Sequence, residues 1–343
     1  MLNELKKFAK TTPIYVTVCE KTQKSYAYAY NENTIGFYEL DGNVDVYNDL
    51  VIPNINQFDN IGDAIHSEGV NFDDAPFDFS FDSESEEFNI SKNNFVKSIS
   101  QFNKFYDVED YRAEFTGLHI RKGTLFASDG TIMRLKKSKT FPATVNMIVD
   151  ITPIVEQLGV NNRKVKSTGT SLFASKKIDS DNLKLSIVTN GGNDALKIKY
   201  KSLTYMIISV GKSELDFADI KSSKPTNNIT VHRESLINNI TKLINTPSTD
   251  SNAIKDFIRF TFEDNLELTN YIYHKKGEVI KQMNYSSPQG NIEFTLNGQK
   301  LVYILKELTD TQVIIHYEDN GMICRLTSKS NTDLLLIAQT TYK

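Results

Sequence analysis

The order of predicted secondary-structure elements repeats along this chain, and the repeat limits the fold more than any other feature. In residues 89–224 a short strand precedes an amphipathic helix, several strands follow, and a second helix precedes the closing strands. Residues 225–343 have the same order. A repeat of whole strand–helix–strands units indicates similar domains that follow each other in the chain. We therefore predict an α+β fold made of such repeated units.

Two polar segments divide the chain. The most acidic segment is Phe72–Phe88, and its part Ser83–Glu87 has the composition of a solvated linker. The second segment, Lys221–Asn228, is also polar and contains a proline. A chain of 343 residues is too long for one ordinary core. The predicted domains are a shortened first domain at 1–88, a middle domain at 89–224 and a C-terminal domain at 225–343.

The predicted helices carry lysine and amide side chains on their polar faces and few carboxylates. The sequence has no acid between Lys92 and Tyr106, and the helix predicted at 233–245 has only Glu234, in the first turn, where the helix dipole favours an acid. Solvent exposure alone explains one such face. Its recurrence in a chain of net charge −4 predicts a surface for nucleic-acid phosphates. The candidate residues are Lys6, Lys7, Lys10, Lys97, Gln101, Lys104, Arg163, Lys164, Lys166, Asn238 and Lys242.

The motifs of common enzyme classes are absent from the sequence. The five histidines have no HExxH spacing, and no phosphate-binding GxxxxGK[ST] or GxGxxG and no GxSxG nucleophile motif occurs. Asp179 and Asp181 lack the glycine and closing glutamate of a calcium-binding EF-hand loop. We therefore predict a protein that is not an enzyme and that needs no metal or cofactor. The two cysteines, Cys19 and Cys324, fit a reducing cytoplasm. The sequence has no apolar stretch of about 18 residues, so we predict no transmembrane helix.

The passage 115–135 carries the most specific sequence signal. Its second predicted strand ends in Ser128-Asp129-Gly130, where Asp-Gly supplies the positive φ of a tight turn, and Arg134-Leu135 follows. The passage resembles the middle domain of bacterial DNA polymerase sliding clamps, the beta subunit of polymerase III. In that family a Thr-Asp-Gly turn followed by Arg-Leu forms one wall of a partner-binding pocket. Residues Ile292–Leu308 and Leu334–Gln339 are similar to the helix entry and the final strand of the last clamp domain.

The resemblance implies a ring with helices inside and antiparallel sheets outside. Such a ring encircles double-stranded DNA without sequence specificity and tethers the replicative polymerase for processive synthesis. It implies partners as well: DNA, a polymerase and a clamp loader that dock through short hydrophobic peptides, and further copies of this chain. We expect a homodimer of three-domain subunits, and a homotrimer of two-domain subunits is the alternative. A divergent, phage-encoded member would explain the shortened first domain.

The family pocket can be transferred to this sequence residue by residue. From the middle domain it includes Phe115, Gly117, Ser128, Gly130, Thr131 and Leu135, and from the last domain Pro225, Leu336, Ile337 and Ala338. Core packing is an equally good explanation for the apolar members. Two departures from the family predict a different partner specificity. Residues Thr131–Met133 look like an insertion before Arg134-Leu135, and Gln339-Thr340 replaces the usual Met-Pro-Met ending.

Two other classes of function remain open from the sequence. The first is a β-rich structural or virion assembly protein that does not bind DNA. The second is a module that binds single-stranded nucleic acid through the alternating residues Phe77, Phe79 and Phe81. The acids beside these phenylalanines would repel phosphates, and a strand that faces the core explains the alternation better.

Overall fold

The computed structural model describes most of the chain, and the following account is restricted to those residues. They are residues 1–10, 12–31, 33–41, 48–72, 77, 79–159, 181–214, 225–245, 256–272, 275–282, 285–286, 292–318 and 321–339. The chain separates into two compact units. The first unit is Met1–Asn103, Thr116–Gly123 and Lys139–Ser213, and the second is Lys104–Phe115, Thr124–Ser138 and Glu214–Lys343.

Short helices alternate with runs of strands. The helices are α1 (Leu2–Ala9), α2 (Ile61–Glu68), α3 (Lys92–Ser100), α4 (Thr152–Leu158), α5 (Arg233–Asn245) and α6 (Gly298–Glu307). The first strands are β1 (Ile14–Cys19), β2 (Lys24–Asn31), β3 (Thr34–Glu39), β4 (Leu50–Ile52), β5 (Val70–Asn71), β6 (Ser83–Glu84), β7 (Phe88–Ser91), β8 (Leu118–Arg121), β9 (Thr124–Ser128), β10 (Ile132–Lys137) and β11 (Asn146–Val149). The others are β12 (Asn182–Asn190), β13 (Asn193–Tyr200), β14 (Leu203–Ile208), β15 (Asn227–His232), β16 (Phe257–Phe262), β17 (Leu266–Ile272), β18 (Lys275–Lys281), β19 (Glu293–Asn297), β20 (Gln312–Tyr317), β21 (Ile323–Thr327) and β22 (Leu334–Ala338).

The first unit is built on an antiparallel sheet with strand order β5-β4-β1-β2-β3-β14-β13-β12-β6, and β7 also pairs with β12. Helix α1 lies against β2 and β3, where small residues let it approach closely. A Cβ atom at Gly36 would lie only 2.7 Å from the ring of Phe8. The same ring meets Tyr205 edge to face, with centroids 5.8 Å apart. Glycine at position 36 therefore fixes the distance between α1 and the sheet.

Aromatic side chains cover the opposite face of this sheet. Phe79 stacks on Tyr26 with ring centroids 4.5 Å apart and meets Phe37 edge to face at 4.8 Å. Phe77 and Phe81, which are partly buried, flank it. The prediction of core-facing phenylalanines is confirmed for Phe79, although these three residues lie outside the strands. Stacking of Phe79 on a nucleobase is blocked by these contacts.

The second unit contains two antiparallel sheets, with orders β9-β10-β22-β21-β20-β15 and β18-β17-β16-β19. Helices α5 and α6 pack against each other, α5 on β17 and β18 and α6 on β19 and β22. A Cβ atom at Gly298, the first residue of α6, would lie 2.8 Å from Ile258 of β16 and 3.1 Å from Ile240 of α5. A side chain at position 298 would therefore push α6 away from both elements.

Most helix bounds agree with the sequence, but two predictions about the helices are wrong and α2 was not predicted. Helix α5 begins at Arg233 and ends at Asn245 as predicted. Helix α3 ends at Ser100 and not at 105, because the chain turns after Gln101, although buried phenylalanines continue the helical spacing. Thr152 is not an N-cap: it is the first helical residue, and the carboxylate of Asp150 accepts its N–H at 2.9 Å. None of the described helices is long and apolar enough to cross a membrane.

Candidate partner-binding and nucleic-acid-binding surfaces

The turn after β9 is built by its own side chains. The hydroxyl of Ser128 donates to the carbonyl of Ile132 at 2.9 Å and accepts the N–H of Gly130 at 3.1 Å. One carboxylate oxygen of Asp129 accepts the N–H groups of Thr131 and Ile132, both at 2.8 Å. Gly130 has a φ of +82°, which a residue with a side chain rarely adopts. The Ser-Asp-Gly sequence therefore holds this turn in one conformation.

Two ion pairs lie at the turn within the second unit. The second carboxylate oxygen of Asp129 pairs with Lys300 of α6. Near Gly130, Arg112 donates to both carboxylate oxygens of Asp110, at 3.0 and 2.9 Å, and its guanidinium lies 4.2 Å from the ring centre of Phe115. These hydrogen bonds from Arg112 lower the pKa of Asp110 to about 2. The ring of Phe115 thus packs against the guanidinium of a charged pair beside the turn.

The pairing of β10 with β22 joins the two halves of the predicted pocket. Met133 lies opposite Leu336, and Leu135 lies opposite Leu334. These side chains share one face of the sheet because alternate strand residues point to the same side. We call this set the apolar strip; it consists of Phe126, Met133, Leu135, Ile323, Leu334 and Leu336. Residues that are about 200 positions apart in sequence therefore form one continuous apolar cluster, in which Met133 and Ile323 are partly buried and the other members are buried.

The other predicted pocket residues lie at several places. Ala338 is opposite Ile323, and its N–H donates to the carbonyl of Thr131 at 2.7 Å, so it lies beside the turn. Ile337 is fully buried on the opposite face of β22 from the strip. Pro225 is partly buried two residues before β15. Gly117 belongs to the first unit, where a Cβ would lie 2.7 Å from the carbonyl oxygen of Val149.

A buried charge cluster lies on the face of the sheet opposite the apolar strip. Arg134 of β10 donates to Asp333, which directly precedes β22, at 2.9 and 2.5 Å, and to Glu307 of α6 at 3.3 Å. Lys136 lies 3.6 Å from Asp333. Arg134 therefore points away from the strip, so its role is to bind β10, β22 and α6 together.

The predicted nucleic-acid-facing residues of the first unit lie on or next to two helices. Lys7 of α1 and Lys97 of α3 are exposed. Lys10 forms an exposed ion pair with Glu156 of α4 at 2.9 Å, and Lys6 donates to the carbonyl of Phe58. Gln101 is the C-cap of α3. Among the described residues no carboxylate pairs with Lys6, Lys7 or Lys97, and of these three only Lys7 and Lys97 are exposed.

In the second unit the predicted residues lie on α5 and after the end of α3. Asn238 and Lys242 are exposed on α5, and the ammonium group of exposed Lys104 lies 5.2 Å from the ring centre of Tyr303. On α6 the carboxylate of Glu307 binds Arg134, which leaves Lys306 as an exposed cation. Arg163, Lys164 and Lys166 lie outside the described residues.

Solved structures share this architecture over almost the whole chain. The DNA polymerase III subunit beta from Pseudomonas aeruginosa is 13% identical, with a TM-score of 0.69 over 99% of this chain and 96% of that one. The DNA polymerase sliding clamp from Caulobacter crescentus is 11% identical, with a TM-score of 0.70 over 99% and 96%. The chain has the sliding-clamp fold. The beta subunit from Thermotoga maritima, 11% identical, gives a TM-score of 0.67 over 100% and 97% of the two chains. No protein-family model and no curated protein sequence matches this chain.

Sequence reasoning missed several residues of this clamp-fold chain that border the candidate site. Asp333, the partner of Arg134, was not recognised, nor were the cations Lys137 and Arg325 at the edge of the apolar strip. Arg325 lies between Ile323 and Thr327 in a strand whose residues alternate between partly buried and buried. This alternation indicates that Arg325 shares a face of the sheet with Ile323 and Thr327. Within the described part of the chain, no group of three His, Cys, Asp or Glu side chains is placed to hold a metal ion.

Proposed function

We propose that this protein is a ring-shaped sliding clamp that encircles double-stranded DNA and tethers a replicative polymerase. The observation that carries the proposal is the likeness to DNA polymerase sliding clamps over 96–97% of their own chains. The identities are only 11–13%, and two surfaces of this chain add support of their own. The proposed domains are 1–88, 89–224 and 225–343, and the proposed ring is a homodimer.

The charge distribution on the helices supports contact with DNA. In a chain of net charge −4, the exposed residues of α3 are Asn93, Asn94 and Lys97. The exposed residues of α5 include Asn238, Lys242 and Asn245, with one exposed acid, Glu234, which pairs with Arg233. Lysine and amide groups attract phosphates without reading bases, and this kind of contact permits sliding. We propose that these helix faces line the hole of the ring.

The apolar strip supports the second half of the proposal, in which partners dock through short hydrophobic peptides. It adjoins the Ser128-Asp129-Gly130 turn, whose conformation is fixed by the hydrogen bonds described above. A peptide that buries apolar side chains on a preformed surface loses little binding energy to ordering of the site. A clamp needs no catalytic group for this role.

The proposed place of action is a bacterial or phage-infected cytoplasm. Both cysteines are buried and free, which fits a reducing compartment.

The test uses the topological link between a ring and circular DNA. The subunits are diluted until they dissociate, mixed with singly nicked circular DNA, concentrated again and separated by gel filtration. We expect the protein to elute with the circle and to be released when the circle is cut once. Light scattering without DNA should give twice the subunit mass of 38.9 kDa. A monomer, or equal retention on linear DNA, would contradict the proposal.

A further inference from the structure

A cavity lies at the end of the apolar strip that is farther from the Ser128-Asp129-Gly130 turn. It has a volume of about 370 Å³. The described residues that line it are Leu135, Lys137, Arg325, Thr332 and Leu334. Leu135 and Leu334 are opposite each other in the β10–β22 pair and form an apolar floor. We call this space the cationic cavity, because both charged residues of its lining are basic.

Neither cation of the cavity is neutralised by the described residues. Arg325 forms no ion pair with them, and its Nε atom is buried without a hydrogen-bond acceptor. Lys137 is exposed and likewise makes no ion pair. A buried donor without an acceptor destabilises a protein, and the effect is larger where the group is charged. An anionic group that enters the cavity would therefore meet two cations that no described carboxylate neutralises.

The lining selects one kind of occupant. Leucine side chains on the floor favour a large apolar group, and a guanidinium and an ammonium at the rim favour a carboxylate. A peptide in which an acidic residue adjoins a large apolar residue supplies both groups. A neutral peptide would leave Arg325 unsatisfied, and a peptide with a basic residue would be repelled.

We infer that the cationic cavity binds the Asp or Glu side chain of a partner peptide whose neighbouring large apolar side chain lies on Leu135 and Leu334. The inference rests on the proposed function, since it specifies which peptides dock on the apolar strip. It extends the predicted pocket at the end away from the turn, through Lys137, Arg325 and Thr332. It also gives these residues a role in the choice of partner.

Two amidated peptides that differ only in one side chain, glutamate or glutamine, test the inference. The probes are acetyl-Leu-Glu-Leu-Leu-amide and acetyl-Leu-Gln-Leu-Leu-amide, titrated into protein with ¹³C-labelled leucine methyl groups and followed by NMR. We expect the glutamate peptide to bind roughly tenfold more tightly, because charge-assisted hydrogen bonds are about twice as strong as neutral ones. Between about 0.05 and 0.5 M NaCl this preference should shrink as the charges are screened.

Variants show whether the two cations cause the preference. In the double variant Lys137→Gln, Arg325→Gln the two peptides should bind equally, while the exposed Lys329→Gln, which does not line the cavity, should keep the wild-type ratio. Far-UV circular dichroism checks that the double variant is folded. Equal binding of both peptides to the wild type, or no binding of either, overturns the inference. A third probe is the glutamine peptide with a free C-terminal carboxylate. If it binds more tightly than the amidated glutamate peptide, the site takes a chain end and not an acidic side chain, and the inference is overturned.

DNA retention separates this inference from the proposed function. The double variant should remain on nicked circular DNA as the wild type does, because neither residue lies on a helix. Retention with no peptide preference overturns the inference alone. Failure of the wild type to stay on the circle overturns the proposed function, whatever the peptides do.

Discussion

Arg134 and Asp333 form a buried ion pair across 199 positions of the sequence. Two nitrogens of the guanidinium donate to one carboxylate oxygen, at 2.9 and 2.5 Å, and both side chains are at least 95% buried. Because Arg134 lies in β10 and Asp333 directly precedes β22, the pair sets the register of the two strands that carry the apolar strip. The candidate partner site thus depends on a charge cluster on the other face of its sheet.

Removal of one charge from this pair should destabilise the second unit. We expect Asp333→Asn to lower the free energy of unfolding by about 3 kcal/mol, the lower end for a broken buried pair, because Glu307 still accepts from Arg134. Urea unfolding followed by far-UV circular dichroism measures the change. Asp264→Asn, at an exposed position, is the control and should stay within about 0.5 kcal/mol of the wild type. Equal effects of the two variants would show that the pair contributes nothing.

Gly36 should be intolerant of a methyl group. In Gly36→Ala the new Cβ would lie 2.7 Å from the ring of Phe8, so α1 must shift or the ring must leave its rotamer. We expect a loss of about 1–3 kcal/mol in the free energy of unfolding, the usual cost of overpacking. Gly211→Ala is a matched control, because nothing lies within 4 Å of its Cβ position. The smaller side chain in Phe8→Leu should restore part of the stability of Gly36→Ala.

His316 should report on the charge of the cationic cavity. Burial, and then the positive charge of Arg325 opposite it in β21, lower the pKa of His316 below 6.5. The folded protein therefore binds this proton more weakly than the unfolded chain does. The contribution of His316 to stability is fully present above about pH 6.5 and decreases as the pH falls towards the folded-state pKa.

An NMR titration of the histidine ring protons tests this relationship. We expect Arg325→Gln to raise the pKa of His316, and we expect the glutamate peptide to raise it in the wild type. Histidine titrates at about pH 6.5, which lies between pH 7.5 and 5. Over this interval the variant His316→Gln should therefore lose less stability than the wild type. A pKa that does not move in Arg325→Gln would mean that burial alone lowers it.

The helices that the sequence predicted best are those in which local signals agree with packing. In α5 the buried residues Leu236, Ile240 and Leu243 recur at helical spacing, and both ends were predicted. In α3 the spacing continues through Phe102 and Phe105, but these residues are buried after the helix has ended. Apolar periodicity reports which side chains are buried, and tertiary contacts decide where the helix stops. Helix α2 was missed although Asn60 caps it by accepting the N–H of Asp63, a signal present in the sequence.

The candidate site was only partly visible in the sequence. The Ser128-Asp129-Gly130 turn could be predicted, since its hydrogen bonds are local. The neighbourhood of Leu135 and Leu336 depends on a strand pairing between distant segments, so only the family resemblance suggested it. The cavity beside Arg325 could not be predicted at all, because an unpaired cation in a strand looks like any exposed basic residue until its neighbours are known.

Reversal of charge at Lys97 of α3 and at Lys104, just after this helix, should weaken DNA retention and leave the ring intact. Lys97 and Lys104 are both exposed, and neither lysine has a carboxylate partner among the described residues. For Lys97→Glu with Lys104→Glu we expect less protein on nicked circular DNA and a salt dependence of retention whose log–log slope falls by about one for each lysine removed. The matched control is Lys139→Glu with Lys329→Glu, which has the same net charge but changes exposed residues that are neither on α3 nor in the turn after it. If both double variants lose retention equally, net charge and not the position of Lys97 and Lys104 holds the DNA. If neither loses retention, these lysines do not face the DNA.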